Sequence, residues 1–394
     1  MENFDEILEN TSNEPLEETP KTYTMQIDRK AFNNGIMMAS NAVARKTTNP
    51  VLSGIKIHVK ENILNIYATD LQTGFHKKIN LNSKTDDEYA YVADQKTLSE
   101  MLQSLSEDIL DITYDGTLRI NASHTNFRLP TMDAEEYPNV IPSVIGTSIT
   151  LEKNTILRMI EKVIFCALKD SDQISRNLNG VYWDFREGGY LTLVASDSYR
   201  LALSEVNVGQ TDMSSFLLSL KSMEELKIVL QNAKSSKIDV HYDGSRVLFD
   251  FLEDDLKLVL NVVDAKFPNY PQIIPNAFKI KMKIKTQEFL WMLKRISIAS
   301  GASKQMKMSI KEEDIIITSN SPDVGEAKEF LTAKKDGEDI SIAYAHTYLK
   351  EAVDKIETSE FEFNISGESN PSVIKPVEDN SYMYIVMPTR VKND

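Results

Sequence analysis

The chain repeats one plan three times, at a spacing of about 125–130 residues. A period that long signals repeated domains and not a solenoid. Each copy opens with an apolar residue and a second one five places later, where a helix begins: Ile27 and Phe32, Leu151 and Ile156, Ile284 and Phe289. Helical spacing then follows, as in Ile156, Ile160, Val163 and Ala167, or Phe289, Leu293 and Ile296. Strand pairs with period-2 alternation come next: "GIKIHVKENILNIYATD", "GVYWDFREGGYLTLVASD" and "KMSIKEEDIIITSN". They end at Asp70, Asp197 and Asn320, where a carboxylate or its amide is expected to close a turn through its side chain.

The second half of each copy repeats the plan. A strand leads into a helix in "YVADQKTLSEMLQSL", "FLLSLKSMEELKIVL" and "SIAYAHTYLKEAVDKI". Hairpins then turn at Asp115-Gly116, Asp243-Gly244 and Gly367. The segments "MDAEEYPNVIP" (132–142) and "VDAKFPNYPQIIP" (263–275) read as matching Pro-rich linkers. The expected fold class is α+β, with three similar domains over 21–146, 147–278 and 279–394, each built from two strand–helix–strand units. The predicted helices span 30–46, 94–108, 152–170, 221–237, 285–307 and 346–356.

Ahead of these repeats, residues 1–20 hold seven carboxylates and no Lys or Arg, and read as a disordered acidic extension. No apolar run is long enough to span a membrane, and no signal-peptide pattern opens the chain, so a cytoplasmic protein is expected. The single cysteine, Cys166, excludes an internal disulfide and reads as a small buried hydrophobe. The net charge of −15 at first opposes nucleic acid as a partner. Summed over the six predicted helices, however, the charge is +7, which leaves −22 for everything else. Helices gathered on one side would give a basic face able to hold phosphates without reading sequence.

The chemistry of an enzyme is missing from the sequence. It has no phosphate-binding loop, no dinucleotide fingerprint and no Gly-x-Ser-x-Gly elbow. His58, His76, His124, His241 and His346 are scattered without metal-ligand spacing, so neither metal nor cofactor is expected. The polar group in "VASDSYRLALSEV", namely Ser196, Asp197 and Tyr199, is the one candidate for a hydrolase or transferase site. A catalytic carboxylate would not be matched by Asp70 in one copy and replaced by Asn320 in another, so this reading is the rival and not the leader.

Taken together, the three α+β repeats, "VASDSYRLALSEV", "FPNYPQIIP" and the terminal "YIVMPTRV" resemble the bacterial DNA polymerase III β subunit family, the sliding clamps, over roughly 21–394. The resemblance implies a non-catalytic processivity factor. Two protomers would join head to tail into a homodimeric ring around double-stranded DNA, with helices lining the hole and sheets outside. It also implies a hydrophobic pocket that binds short linear motifs of the polymerase III catalytic subunit, the clamp-loader ATPase, other polymerases and mismatch-repair proteins.

Matched residue by residue, the pocket comprises Leu178, Ser196, Ser198, Tyr199, Arg200, Leu201, Pro275, Ile385, Met387, Pro388, Thr389, Arg390 and Val391. Arg200 and Arg390 would orient peptide carbonyls or carboxylates at its rim. DNA contacts fall on Lys46, Lys78, Lys169 and Arg176, the last two bounding a loop. The ring would close through "TNFRL" (125–129) and "GEAKEF" (325–330), involving Phe127, Arg128, Glu326 and Glu329, with Ile298-Ala299 as an apolar plug. Ser198-Tyr199 stands where many members have Gly-His, and Thr389 where an apolar residue is common. Arg176-Asn177 replaces frequent tyrosines. A peptide-binding scaffold that never encircles DNA is the remaining alternative.

Overall fold

A computed structural model of the chain describes residues 21–169, 176–312 and 314–390. The acidic extension 1–20, most of the loop between Lys169 and Arg176, and Val391 lie outside the described residues. Among the described residues the α-helices are α1 (Arg29–Ala39), α2 (Gln95–Ser104), α3 (Lys153–Val163), α4 (Leu220–Asn232), α5 (Thr286–Ala299) and α6 (His346–Val353). Three of them start on a side-chain cap that satisfies an otherwise orphaned amide. Asp28 accepts from Ala31 N–H at 2.7 Å, Asp94 from Thr97 N–H at 2.9 Å, and Ser219 from Ser222 N–H at 3.1 Å.

Every predicted helix is present, and every one ends earlier than predicted. α5 stops at Ala299 because Gly301 adopts φ 53°, where a Cβ would also collide with Ser321. Gln305–Lys311 is already a strand. Arg45, Lys46, Lys304 and Lys307 therefore leave the helices, whose summed charge over the observed bounds is +5 instead of +7.

The described chain forms two compact units. The first comprises 21–40, 45–66 and 78–138. Its strands run in the order Tyr23–Asp28, Ile109–Tyr114, Thr117–Asn121, Asn126–Met132, Tyr89–Asp94, Gly54–Lys60, Ile63–Thr69. Period-2 alternation works as read: Ile55, Ile57 and Val59 are fully buried, while His58 points outward to Glu88 at 3.0 Å. The core is completed by Phe32 and Ile36 of α1 and Leu98 and Leu102 of α2.

The second unit holds 41–44, 67–77 and 139–390. One of its sheets orders Leu256–Asn261, Arg246–Phe251, Lys237–Tyr242 and Thr147–Glu152, with residues 73–77 paired to the outer side of Leu256–Asn261. A nine-stranded sheet carries Arg200–Asn207 beside Tyr382–Val386, in register from Arg200↔Val386 to Ser204↔Tyr382. A four-stranded sheet begins with Gly325–Thr332 as its outermost strand. Three sequence repeats thus yield two compact units, the second and third repeats falling in the same one.

Two of the three predicted turn-closing side chains do what was expected. Asp70 Oδ1 accepts from the amides of Gln72 (3.0 Å) and Thr73 (2.7 Å), and Asp197 Oδ1 from those of Tyr199 and Arg200 (both 3.0 Å). Leu71 and Ser198 between them adopt φ 72° and 75°. The third expectation is wrong. Asn320 stays in the strand Asp314–Ser321, opposite Glu326, and the chain turns only after Ser321. Cys166 is fully buried, as its apolar surroundings implied.

Candidate functional site

The strand Tyr190–Ser196 delivers the polar group "SDSYR" to the edge of an apolar cluster. Ser196 donates its hydroxyl to the carbonyl of Arg200 at 2.8 Å, and both Asp197 oxygens are engaged by turn amides and the Arg200 Nε. Tyr199 is 64% exposed. The serine therefore hydrogen-bonds to a carbonyl where a nucleophile would need a base. The group closes a turn, and the hydrolase reading has no geometry to stand on.

Arg200 corrects the expectation that it orients peptide at the rim. It is only 9% exposed and its donors are committed within the chain. Nε binds Asp197 (3.0 Å), Nη2 the carbonyl of Phe165 (3.0 Å), and Nη1 Glu351 of α6. The guanidinium also lies over the Tyr348 ring, 4.2 Å from its centroid. Arg200 is a tie between the second repeat's turn and the third repeat's helix.

The first repeat lacks that tie, with a visible consequence. Glu225 sits five residues past the start of α4, as Glu351 does in α6, while Thr73 follows Asp70 by three residues, as Arg200 follows Asp197. Lys221 pairs with Asp70 instead. Glu225 is left 1% exposed, without a partner of good hydrogen-bond geometry, although Asn41 lies near enough to lower its pKa somewhat. Burial outweighs Asn41 and the Lys221 charge, and pushes the carboxyl up to about 8.

The folded chain then keeps a proton that the unfolded chain releases above its ordinary value of 4.5, so stability should fall as pH rises from there to about 8. Glu225→Gln should flatten this slope and stabilise the protein at pH 9 by on the order of 4 kcal/mol. Urea denaturation of both proteins at pH 6 and pH 9 checks it. Equal slopes would show Glu225 ionised in the fold.

Behind the Asp197 turn lies the apolar cluster. Leu201 and Ile385 are buried in it together with Val194, Leu203, Leu217, Phe267, Tyr270 and Val373, and Leu178 packs against them half-exposed. Pro275 lines a neighbouring hollow of about 270 Å³, apolar on the side of Ile274, Phe278, Val373 and Met383 and polar on that of Asn276, Lys281, Glu362, Asn364 and Lys375. Four of the predicted pocket residues, Leu178, Leu201, Pro275 and Ile385, thus belong to one apolar neighbourhood.

Met387 joins the turn by donating its amide to the Tyr199 carbonyl at 2.9 Å, and Met387 and Pro388 are half-buried. Thr389 N–H bonds the Ala343 carbonyl at 2.8 Å, its buried Oγ1 has no partner among the described residues, and Arg390 is exposed. The sequence reading missed Tyr182, Phe267, Tyr270, Phe278 and Met383. Tyr182 stacks on Phe267 at 5.1 Å, and Tyr270 donates to Asp184 at 2.7 Å. The signal for Phe267, Tyr270 and Phe278 was the aromatic content of "KFPNYPQIIPNAF", which a linker would not need; Tyr182 and Met383 lie outside that segment.

Lys46 and Lys78 in the first unit, and Lys169 and Arg176 in the second, are all exposed. Lys78 rises from a strand and not from a helix. Both predicted interface strands are edges among the described residues. Asn126–Pro130 pairs only with Thr117–Asn121, since the pairing to Tyr89–Asp94 covers only Thr131 and Met132. Gly325–Thr332 pairs only with Asp314–Ser321.

Phe127 on the first edge is half-buried and Arg128 exposed, while Glu326 on the second is exposed. Two of the predicted interface roles need correction. Ala299 is buried on the inner face of α5, so Ile298, 72% exposed, stands alone. Glu329 is bound by Arg295 through two contacts of 2.6 and 2.8 Å and is spent within its own chain. Phe330, 68% exposed on the edge strand, and Trp291 of α5 were overlooked. Large apolar side chains left in the open beside an unpaired strand are what a partner's strand would cover.

Comparison with known proteins gives one consistent result. Family descriptions of the DNA polymerase III beta subunit match end to end: its N-terminal domain over residues 23–141, its central domain over 150–269 and its C-terminal domain over 271–390. The chain is 25% identical over 382 residues to the beta sliding clamp of Caulobacter vibrioides, covering 93% of this chain and all of the relative. It is 25% identical over 383 residues to that of Bacillus subtilis, covering 93% and 99%. The crystal structure of the Thermotoga maritima DNA polymerase III beta subunit superposes with a TM-score of 0.88 at 36% identity, over 94% of this chain and all of the other.

Proposed function

This chain belongs to the DNA polymerase III beta subunit family, and on that premise we propose that two copies close head to tail around duplex DNA as a sliding clamp. The observation that carries this reading is the pair of open edges, Asn126–Pro130 in the first repeat and Gly325–Thr332 in the third. Each offers unpaired backbone groups to a second copy. A heterologous contact whose rotation closes makes a ring and removes both edges.

Helices with a summed charge of +5, in a chain of net −15, support a lining that tolerates phosphates. The clamp works without catalysis, tethering a polymerase to DNA by enclosure. Its partners would dock short apolar motifs on the cluster around Leu178, Leu201, Pro275 and Ile385, each buried partner side chain contributing roughly 1.5–3 kcal/mol. The polymerase III catalytic subunit, the clamp loader, other polymerases and mismatch-repair proteins are the proposed clients, met in the cytoplasm. The sequence has no nucleotide-binding loop, so an ATP-driven loader must open the ring.

The test is retention. Clamp loaded onto nicked circular DNA should stay through a gel-filtration column at moderate salt and leave once the circle is linearised. Weak, salt-sensitive binding to linear duplex should accompany it. Equal retention before and after linearisation would refute enclosure, and no retention on either substrate would favour a peptide-binding scaffold.

A further inference from the structure

Although the residues outside the predicted helices sum to −22, one sheet face is rich in lysine. The strand Ile280–Lys285 alternates strictly, burying Ile280, Met282 and Ile284 and exposing Lys281, Lys283 and Lys285, with Lys279 exposed just before it. Its neighbour Lys334–Gly337 sets Lys334 directly opposite Lys283. Residues directly opposite in an antiparallel pair share a face, so five lysines project from one surface. Among the described residues, Lys279, Lys281, Lys283 and Lys334 have no ion-pair partner, while Lys285 pairs with Glu288 of α5 at 2.8 Å. Asp336, Glu360 and Glu362 share the face, the last tied to Lys375 at 3.3 Å. Lys281, Lys283, Lys285 and Lys334 line an open trough of about 840 Å³, and so do Thr332 and Ala333, where the candidate interface strand finishes.

We infer that this trough receives the acidic extension, residues 1–20, of the neighbouring protomer. The inference rests on the ring reading above. Charge is complementary, with seven carboxylates and no Lys or Arg in the extension facing the unpaired Lys281, Lys283 and Lys334 of the trough. The topology also suits a partner's segment. The extension leaves from Tyr23–Asp28, which lies three strands from Asn126–Met132 in the first unit's sheet, about 15 Å at normal strand spacing. In a head-to-tail ring, that edge meets the strand running into the trough. A 20-residue chain has a root-mean-square span of about 25 Å, so the segment can reach. The contact between extension and trough would then weaken with added salt.

Zero-length carbodiimide coupling of the full-length protein tests this, with sedimentation of the same sample to report assembly. Expected are covalent dimers whose cross-linked peptides join carboxylates of 1–20 to Lys281, Lys283 or Lys334. Their yield should fall at least fivefold in Lys281→Gln/Lys283→Gln/Lys334→Gln and in 0.5 M salt. A dimer by sedimentation that gives no such links, or links only within one chain, overturns this inference and leaves the ring intact. A strictly monomeric protein overturns both. Duplex DNA that binds the trough and blocks coupling would reassign the face to nucleic acid.

Discussion

Replacing Ile298 and Phe330 together by aspartate should turn the dimer into a monomer and abolish retention on circular DNA. Both side chains are largely exposed, at 72% and 68%, so the folded protomer loses little when they change. An interface would lose the burial of two large apolar groups, roughly 1.5–3 kcal/mol each, and take on two carboxylates that must be desolvated. At 1.4 kcal/mol per factor of ten, each seam should weaken by about 10²-fold or more. Sedimentation across a concentration series reads the first effect, and bead-bound nicked circles read the second. An unchanged dimer would mean that the edge strand Gly325–Thr332 is not where copies meet.

Arg200→Ala should be the most destabilising single change in the second unit. It removes the ion pairs to Asp197 and Glu351, the bond to the Phe165 carbonyl and the stacking on Tyr348 at once. Deleting one partner from a buried ion pair typically costs about 3–5 kcal/mol, because the remaining charge is left uncompensated. The urea midpoint should fall accordingly, with an unchanged m-value if unfolding stays two-state. Arg200→Lys should recover only a fraction, since an ammonium cannot reach three partners in one plane. A loss below 1 kcal/mol would return Arg200 to the peptide rim, where the sequence reading had put it.

That misplacement shows what a sequence withholds. The repeats, the six helices and the turns at Asp70 and Asp197 were legible because periodicity and capping chemistry act within a few residues. So was the burial of Leu201 and Ile385, which lie in apolar strand sequence. The partners of Arg200 are not local: Glu351 lies 151 positions further on, and nothing near "SDSYR" reveals it. Ala299 continues the buried stripe of Phe289, Leu293 and Ile296, so its side was legible and was misjudged, whereas the partner of Glu329, Arg295, lies 34 positions away. Asn320 failed because the third hairpin turns later than its siblings. The buried Glu225 becomes intelligible only beside Glu351, its counterpart at the other junction.

The register Arg200↔Val386 through Ser204↔Tyr382 stitches repeats two and three with backbone hydrogen bonds as well as side chains. A hinge at that joint would have to break a sheet ladder in the interior of a nine-stranded layer. If a motor pries the assembly apart, this stretch moves as one stiff girder, and the compliance has to come from somewhere else. Amides along Leu201–Leu203 should accordingly be among the slowest in the protein to exchange with deuterium, open ring or closed.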